Sequence, residues 1–111
     1  MKQEIHAVFA IINGADPTYD VIENGAWLND DSYIAVHRVA SDGKLHGVVD
    51  QIMDYCKMLS HDIRIDTHHD NKIMQGQLER NSFEKCGVIY AWDGTQRIAY
   101  HWSAEYLKKG T

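Results

Sequence analysis

Residues 39–49 combine features that bind anions. A strand-like run is followed by a turn that contains Gly43, and a helical period starts at Gly47. The first backbone N–H groups of a helix lack partners inside it and lie at the positive end of its dipole, so such a junction suits a phosphate. Lys44 and His46 could add positive charge. Spacing alone is a weak indication of phosphate binding, because Gly43 can be present simply to allow a left-handed turn.

An imidazole and a phenol on one strand are candidates for acid–base chemistry. His37 and Tyr33 lie in the β-branched run of residues 33–40, and their even spacing places them on one face of a strand. Imidazole titrates near neutral pH, which suits a general base, and the phenol could act as an acid or orient a water. The alternatives are a histidine packed on the sheet and a core tyrosine with a satisfied hydroxyl.

The residues His68, His69 and Asp70 are of types that bind metals. We expect adjacent histidines at a strand end to point to opposite sides, and no third ligand is obvious nearby. The sequence therefore predicts no metal site, with a metal-binding module as the weak alternative. Cys56 and Cys86 lie thirty positions apart without a partner motif, which predicts free thiols. Cys86 is predicted to be a small buried apolar side chain and not a nucleophile.

Apolar periodicity predicts the element order strand, strand, helix, strand, helix, strand, strand. A strand–helix–strand unit implies a parallel pair, and Asp93-Gly94 predicts a hairpin. The fold class is a mixed α/β (α+β) sheet with packed helices, in one domain of 111 residues. Strands are predicted at residues 5–12, 33–40, 62–67, 86–92 and 97–102, and helices at 47–59 and from 70 or 71 to about 81–82.

The two helices have predicted core faces and termini. We expect Asp70 or Asn71 to cap the second helix and Asn81 or Ser82 to close it, with asparagine the better suited of the two to a left-handed conformation. The predicted apolar members are Val49, Ile52, Met53, Cys56 and Leu59 in the first helix, and Ile73, Met74 and Leu78 in the second.

Composition excludes several classes of protein. A net charge of −5 argues against nucleic acid as a partner, and the chain has no apolar run long enough for a membrane span. Free thiols and the lack of a secretory signal predict a cytoplasmic protein. Acids cluster within residues 16–31 and could attract a cationic amine, although a solvated loop is the simpler interpretation. They are Asp16, Asp20, Glu23, Asp30 and Asp31.

Several motifs in order resemble a bacterial branch of the GNAT superfamily of acetyl-coenzyme A-dependent N-acetyltransferases. The family signature (Arg or Gln, two residues, Gly, one residue, Gly or Ala) reads KLHGVV at 44–49, with the central glycine kept. RIDTHHDNKIMQ at 64–75 and LERNSFEKCGVIY at 78–90 resemble the family's downstream half. AWLND at 26–30, HRVA at 37–40 and RIAY at 97–100 also fit, so the resemblance runs from about residue 5 to residue 100.

The resemblance implies a mostly antiparallel sheet with a central, splayed parallel pair of strands and two packed helices. It implies acetyl-CoA as co-substrate without a metal, and direct attack of a small-molecule or peptide amine on the thioester. For that reaction the residues themselves offer His37 as the base and Tyr33 as the acid or as a group that orients a water, while Tyr19 and Trp27 could line the acceptor pocket or only pin a long loop. The implied cofactor contacts are Val39, Lys44, Leu45, His46, Gly47, Val48, Val49 and Asn71.

Departures from the family pattern suggest an alternative function. The family places a strand and two helices before this chain's first strand, so we expect a short form, a misplaced start or a fragment, and a homodimer that covers the exposed edge. The usual tyrosine acid of the later helix is Leu78, which cannot donate a proton. The alternative is therefore a non-catalytic acyl-CoA-binding or assembly domain.

Overall fold

Five strands form one sheet in the computed structural model, which describes residues 7–14, 16–41 and 48–105. Two helices and the strands follow the order that the periodicity predicts, and a 3-10 helix lies in a segment without a predicted element. Where the adjoining residues are described, the boundaries lie within two residues of the predicted ones. They are β1 Ala7–Asn13, the 3-10 helix Pro17–Tyr19, β2 Ile34–Ser41, α1 Val48–Leu59, β3 Asp62–His68, α2 Lys72–Arg80, β4 Glu84–Tyr90 and β5 Gln96–Ser103.

The sheet has the strand order β1-β2-β3-β5-β4, with one parallel pair, β2 and β3, among antiparallel ones. The predicted mixed, mostly antiparallel sheet is therefore confirmed. The second strand of the final hairpin, β5, is the one that pairs with β3, which local pattern did not indicate. Within the described residues, neither α1 nor α2 has the length and apolar content that a membrane crossing requires.

The parallel strands pair only at their starts. Their register runs from Ile34 opposite Ile63 to Val36 opposite Ile65, although β2 continues to Ser41 and β3 to His68. The predicted splay of this pair is thus present. On its other side β2 also changes register against β1 between His37 and Ala40, and such an irregularity bends a strand and re-aims its residues.

One apolar face of the sheet packs against the helices. Four of the five predicted α1 residues are buried there, together with Met74 and Leu78 of α2. Leu59 is 51% exposed and Ile73 is 76% exposed, so those two predictions are wrong. At about 100° per residue, Leu59 lies roughly 70° from the centre of the buried stripe of α1. By the same geometry Ile73 lies about 100° from Met74 and about 140° from Leu78, outside the buried face of α2.

Each terminus of α2 uses one of the two residues that the sequence predicts for it. Asn71 caps the first turn, because its side-chain oxygen accepts from the backbone N–H of Met74 at 3.0 Å. At the other end, of the two predicted residues, it is Ser82, with φ of 71°, that takes the left-handed position, although asparagine is the better suited to it. The Asn81 amide instead donates to Asp50 of α1 at 2.7 Å, so a tertiary contact decides its conformation.

A long loop packs against the opposite face of the sheet. Residues 20–33, which follow the 3-10 helix, cross β4, where Glu23 and Val88 form an isolated bridge with N–H···O distances of 2.8 Å in both directions. Gly25 and Gly87 allow this close approach: a Cβ on Gly25 would lie 1.8 Å from the carbonyl oxygen of Cys86. The loop thereby brings Asn29 onto β3, where its side-chain amide donates to Asp62 at 2.9 Å and its carbonyl oxygen accepts from Arg64 at 2.9 Å.

Candidate functional site

His37 lies between two carboxylates on the loop-covered face of the sheet. Its Nε2 is 2.6 Å from Oδ2 of Asp16, and its Nδ1 is 4.0 Å from Oδ1 of Asp66. Strands β2 and β3 place His37 and Asp66, while the turn before the 3-10 helix supplies Asp16. About a quarter of the His37 side chain is exposed, so the imidazole remains accessible from the surface.

Asp16 is held as an oriented, ionised carboxylate. Its Oδ1 accepts from the backbone N–H and hydroxyl of Thr18 at 3.0 and 2.8 Å, and its own N–H donates to the hydroxyl of Tyr33 at 2.9 Å. Burial acts to raise the pKa of Asp16, but the hydrogen bonds from Thr18 and His37 together outweigh burial and lower it. An ionised Asp16 can only accept, so Nε2 of His37 is the donor in this hydrogen bond and Nδ1 faces Asp66.

Asp66 is positioned by two donors. The hydroxyl of Tyr19 donates to Oδ1 at 2.7 Å, and Nη1 of Arg97 donates to Oδ2 at 3.5 Å. Burial, followed by the nearby charge of Asp66, raises the pKa of Tyr19 well above its ordinary value, so this phenol stays a neutral donor. Trp27 donates to the carbonyl oxygen of Tyr19 at 3.0 Å and holds the tyrosine in place.

Two cavities share Asp66 and Arg97. The larger, which we name the groove, has a volume of about 780 Å³ and is also lined by Asp16, His37 and Trp92. The smaller has a volume of about 170 Å³ and lies where β2 and β3 separate, so we name it the slot. Further residues that line the slot are Val36, Ile65, Thr67, His68, Asn71 and Met74. The shared residues place the slot next to the groove, beside His37.

The aromatic residues predicted for catalysis or for the acceptor pocket lie behind the groove. Tyr33 packs its ring 4.0 Å from the guanidinium carbon of Arg64, and its hydroxyl holds Asp16. Tyr19 is buried, and neither it nor Trp27 is among the groove-lining residues. The contacts of these three side chains position Asp16 and Asp66.

The residues predicted for cofactor binding are described only in part. Asn71 lines the slot, and Val49 is buried against the sheet. Val39 and Val48 belong to β2 and α1. The predicted cradle residues Lys44, Leu45, His46 and Gly47 lie outside the described residues.

Sequence reasoning missed Asp66 and the specific role of Asp16. The sequence places Asp16 among acids that could attract an amine or, more simply, belong to a solvated loop, whereas the structure buries Asp16 almost fully. A signal for Asp66 was present, because Arg64 and Asp66 alternate with the apolar residues of a central strand. Charged residues on one face of a central strand need partners, and such partners often form a site.

Leu78 and Cys86 are both buried. Leu78 is fully buried in the core, so α2 presents no proton donor at that position. Cys86 is buried as predicted, and burial raises the pKa of its thiol to about 11, which makes it a poor nucleophile.

The histidine pair differs from expectation. The rings of His68 and His69 stack with centroids 4.5 Å apart instead of pointing to opposite sides. The reason is that β3 ends at His68 and His69 belongs to the following turn, where strand alternation no longer applies. Asp70 lies within 3.6 Å of His68 and 3.1 Å of His69, so a third donor is present after all.

Comparison with known proteins identifies a structural neighbour. No protein-family model and no curated protein matches the chain. A crystal structure of a GNAT-family acetyltransferase from Streptococcus agalactiae 2603 superposes with a TM-score of 0.80 at 30% sequence identity. The match covers 91% of this chain and 60% of that chain. The resemblance seen in the motifs is confirmed, and the chain has the fold of the GNAT-family acetyltransferases.

Proposed function

We propose that the chain is an acetyl-CoA-dependent N-acetyltransferase that acts on an amine. The observation that carries the proposal is the meeting of the slot and the groove at Asp66 and Arg97, beside His37. Transfer between two substrates requires two adjoining sites with a proton acceptor at their junction. The likeness to a protein described as a GNAT-family acetyltransferase supports the same function.

Residues of the slot fit the acyl end of acetyl-CoA. Beyond Val36 the backbone of β2 is no longer paired with β3, so its polar groups on that side can bind a pantetheine amide and polarise a thioester carbonyl. Nε of Arg97 is buried without a partner among the described residues, and it can donate to a ligand oxygen. When bound, acetyl-CoA would supply the thioester whose carbonyl carbon accepts the amine nitrogen as the C–S bond breaks.

The charges of the groove favour a cationic acceptor. Asp16 and Asp66 present carboxylates on either side of His37, and Trp92, which is 85% exposed, adds an apolar surface. An ammonium group would be attracted to the space between His37 and Asp66. Nδ1 of His37 and Oδ1 of Asp66 are 4.0 Å apart, which leaves room for a hydrogen-bond donor between them. We therefore propose a primary amine that is protonated in solution.

His37 would move the proton. The ammonium loses one proton to solvent before it attacks, Nδ1 accepts a second proton as the nitrogen bonds to the carbonyl carbon, and the ionised Asp16 stabilises the imidazolium through Nε2. The same proton is then available for the departing thiolate, so the reaction does not need a tyrosine at position 78. General base catalysis of this kind contributes roughly 10²- to 10⁴-fold.

A non-catalytic acyl-CoA-binding domain is the second candidate. It is favoured by the burial of Leu78, which leaves the position of the family's usual acid without a hydroxyl. This candidate predicts cofactor binding without release of free thiol for any amine. Binding and turnover must therefore be measured separately.

The first experiment measures the melting temperature with and without saturating acetyl-CoA. A ligand at about 100 times its dissociation constant adds roughly 2.7 kcal/mol to the free energy of unfolding, which raises the melting temperature by several degrees. Adenosine alone should produce no comparable shift. Gly47→Glu, which places a carboxylate in the proposed phosphate cradle, should remove the shift. A folded protein that shows no shift with acetyl-CoA would contradict both candidates.

The second experiment measures release of free thiol from acetyl-CoA with a panel of primary mono- and polyamines. His37→Gln should lower turnover by about 100-fold or more while the acetyl-CoA shift is retained. The matched control is His61→Gln, because His61 is exposed and lies outside both cavities. Unchanged turnover in His37→Gln would remove His37 as the base. A thermal shift without turnover for any amine would favour the binding domain.

A further inference from the structure

The turn after β3 brings two imidazoles and a carboxylate together. One ligand atom from each of His68, His69 and Asp70 lies within 4.8 Å of the others. Oδ2 of Asp70 is 3.6 Å from Nδ1 of His68, and Oδ1 is 3.1 Å from Nε2 of His69. All three side chains are at least 40% exposed, so an ion can reach them from solvent.

The backbone that carries these three residues is held in place. The N–H of Asn71 donates to the carbonyl oxygen of His68 at 3.0 Å. The buried amide of Gln75 donates to the carbonyl oxygens of His68 and His69, at 3.3 and 2.9 Å. The three Cα positions are thus fixed by α2, and only side-chain rotations are needed to bring the donors onto one ion.

We propose that His68, His69 and Asp70 bind a divalent transition metal of the Zn²⁺, Co²⁺ or Ni²⁺ type. Imidazole nitrogens and one carboxylate suit these borderline ions, whereas Mg²⁺ and Ca²⁺ prefer an all-oxygen shell. Ligands about 2.0–2.2 Å from a tetrahedral ion are roughly 3.3–3.6 Å apart, so the donors need to close by about one ångström. Nδ1 of His68 accepts from the N–H of Asp70 at 3.1 Å, and water can replace that acceptor at this exposed turn.

The position of the metal has a consequence for the slot. His68 lines the slot together with Asn71, so an ion on this turn lies at its edge and keeps coordination positions open. This consequence rests on the proposed function: a bound ion would occupy space beside the pantetheine arm. Zn²⁺ should therefore weaken the binding of acetyl-CoA.

Calorimetric titration of the full, tag-free chain with Zn²⁺ alone tests the metal site without any cofactor. One site is expected in the wild type. His69→Ala and Asp70→Asn should each lower the affinity by at least about tenfold, which is the size of effect seen for even indirect metal partners. His61→Ala is the matched control and should bind as the wild type does. Absence of saturable binding, or equal binding by His69→Ala and the wild type, would overturn the site.

A second titration separates this site from the proposed function. The thermal shift with acetyl-CoA is measured with and without Zn²⁺, in the wild type and in His69→Ala. If Zn²⁺ reduces the shift in the wild type but not in His69→Ala, the coupling is supported. If Zn²⁺ reduces the shift equally in the two proteins, the coupling is refuted. If acetyl-CoA binds neither protein, the proposed function fails while the calorimetric result on the metal still stands.

Discussion

Replacing Gly25 by alanine tests the contact that holds the long loop on the sheet. A Cβ at position 25 would lie 1.8 Å from the carbonyl oxygen of Cys86 and 2.9 Å from its carbonyl carbon. Both atoms belong to the backbone of β4, so no side-chain rotation relieves the overlap. The loop must move away from β4, and the bridge between Glu23 and Val88 must break.

The magnitude follows from the contacts that are lost. The bridge contains two backbone hydrogen bonds of 2.8 Å, and each contributes about 1 kcal/mol net. With some loss of packing around the loop, Gly25→Ala should lower the free energy of unfolding by about 2–3 kcal/mol. For a domain of this size that corresponds to a fall in melting temperature of roughly 8–12 °C.

Thermal and urea unfolding measure this loss, with Gly76→Ala as the matched control. Nothing lies within 4 Å of a Cβ at position 76, which is inside α2, so alanine there should stabilise the protein by about 0.5–1 kcal/mol. Gly87→Ala should resemble Gly25→Ala, because its Cβ would lie 2.5 Å from the carbonyl oxygen of Glu23. A double variant should then lose less than the sum of the two. If Gly25→Ala melts like the wild type, the loop does not contact β4 as described.

Two further predictions concern buried titratable groups. Burial lowers the pKa of His101, whose Nδ1 accepts from the N–H of Leu28 at 3.2 Å and whose Nε2 lies 3.0 Å from Asp62. His101 is therefore protonated more readily in the unfolded chain, so the free energy of unfolding should fall as pH drops below about 6.5. Urea unfolding from pH 7.5 to 5.5 should show this fall, and His101→Gln should make the free energy of unfolding depend less on pH. Cys56 and Cys86 are both buried with raised thiol pKa values, so a thiol reagent at pH 7.5 should label them only after unfolding, and rapid labelling of the native protein would contradict their burial.

The sequence alone determined the features that depend on local pattern. Alternation and helical periodicity predicted the order of the elements, the shared face of Tyr33 and His37, and the cap at Asn71. These features follow from backbone geometry over a few residues, which the side chains of the same segment largely dictate.

Only the tertiary structure decided which residues meet. His37 contacts Asp16 across 21 positions, and Tyr19 contacts Asp66 across 47. Such pairs depend on the order of strands in the sheet and on the path of the loop across β4, neither of which has a local signature. The same holds for Ser82, where the contact between Asn81 and α1 outweighed the intrinsic preference of asparagine for the left-handed position. The site therefore follows from packing between distant segments, whereas the elements that carry it follow from local pattern.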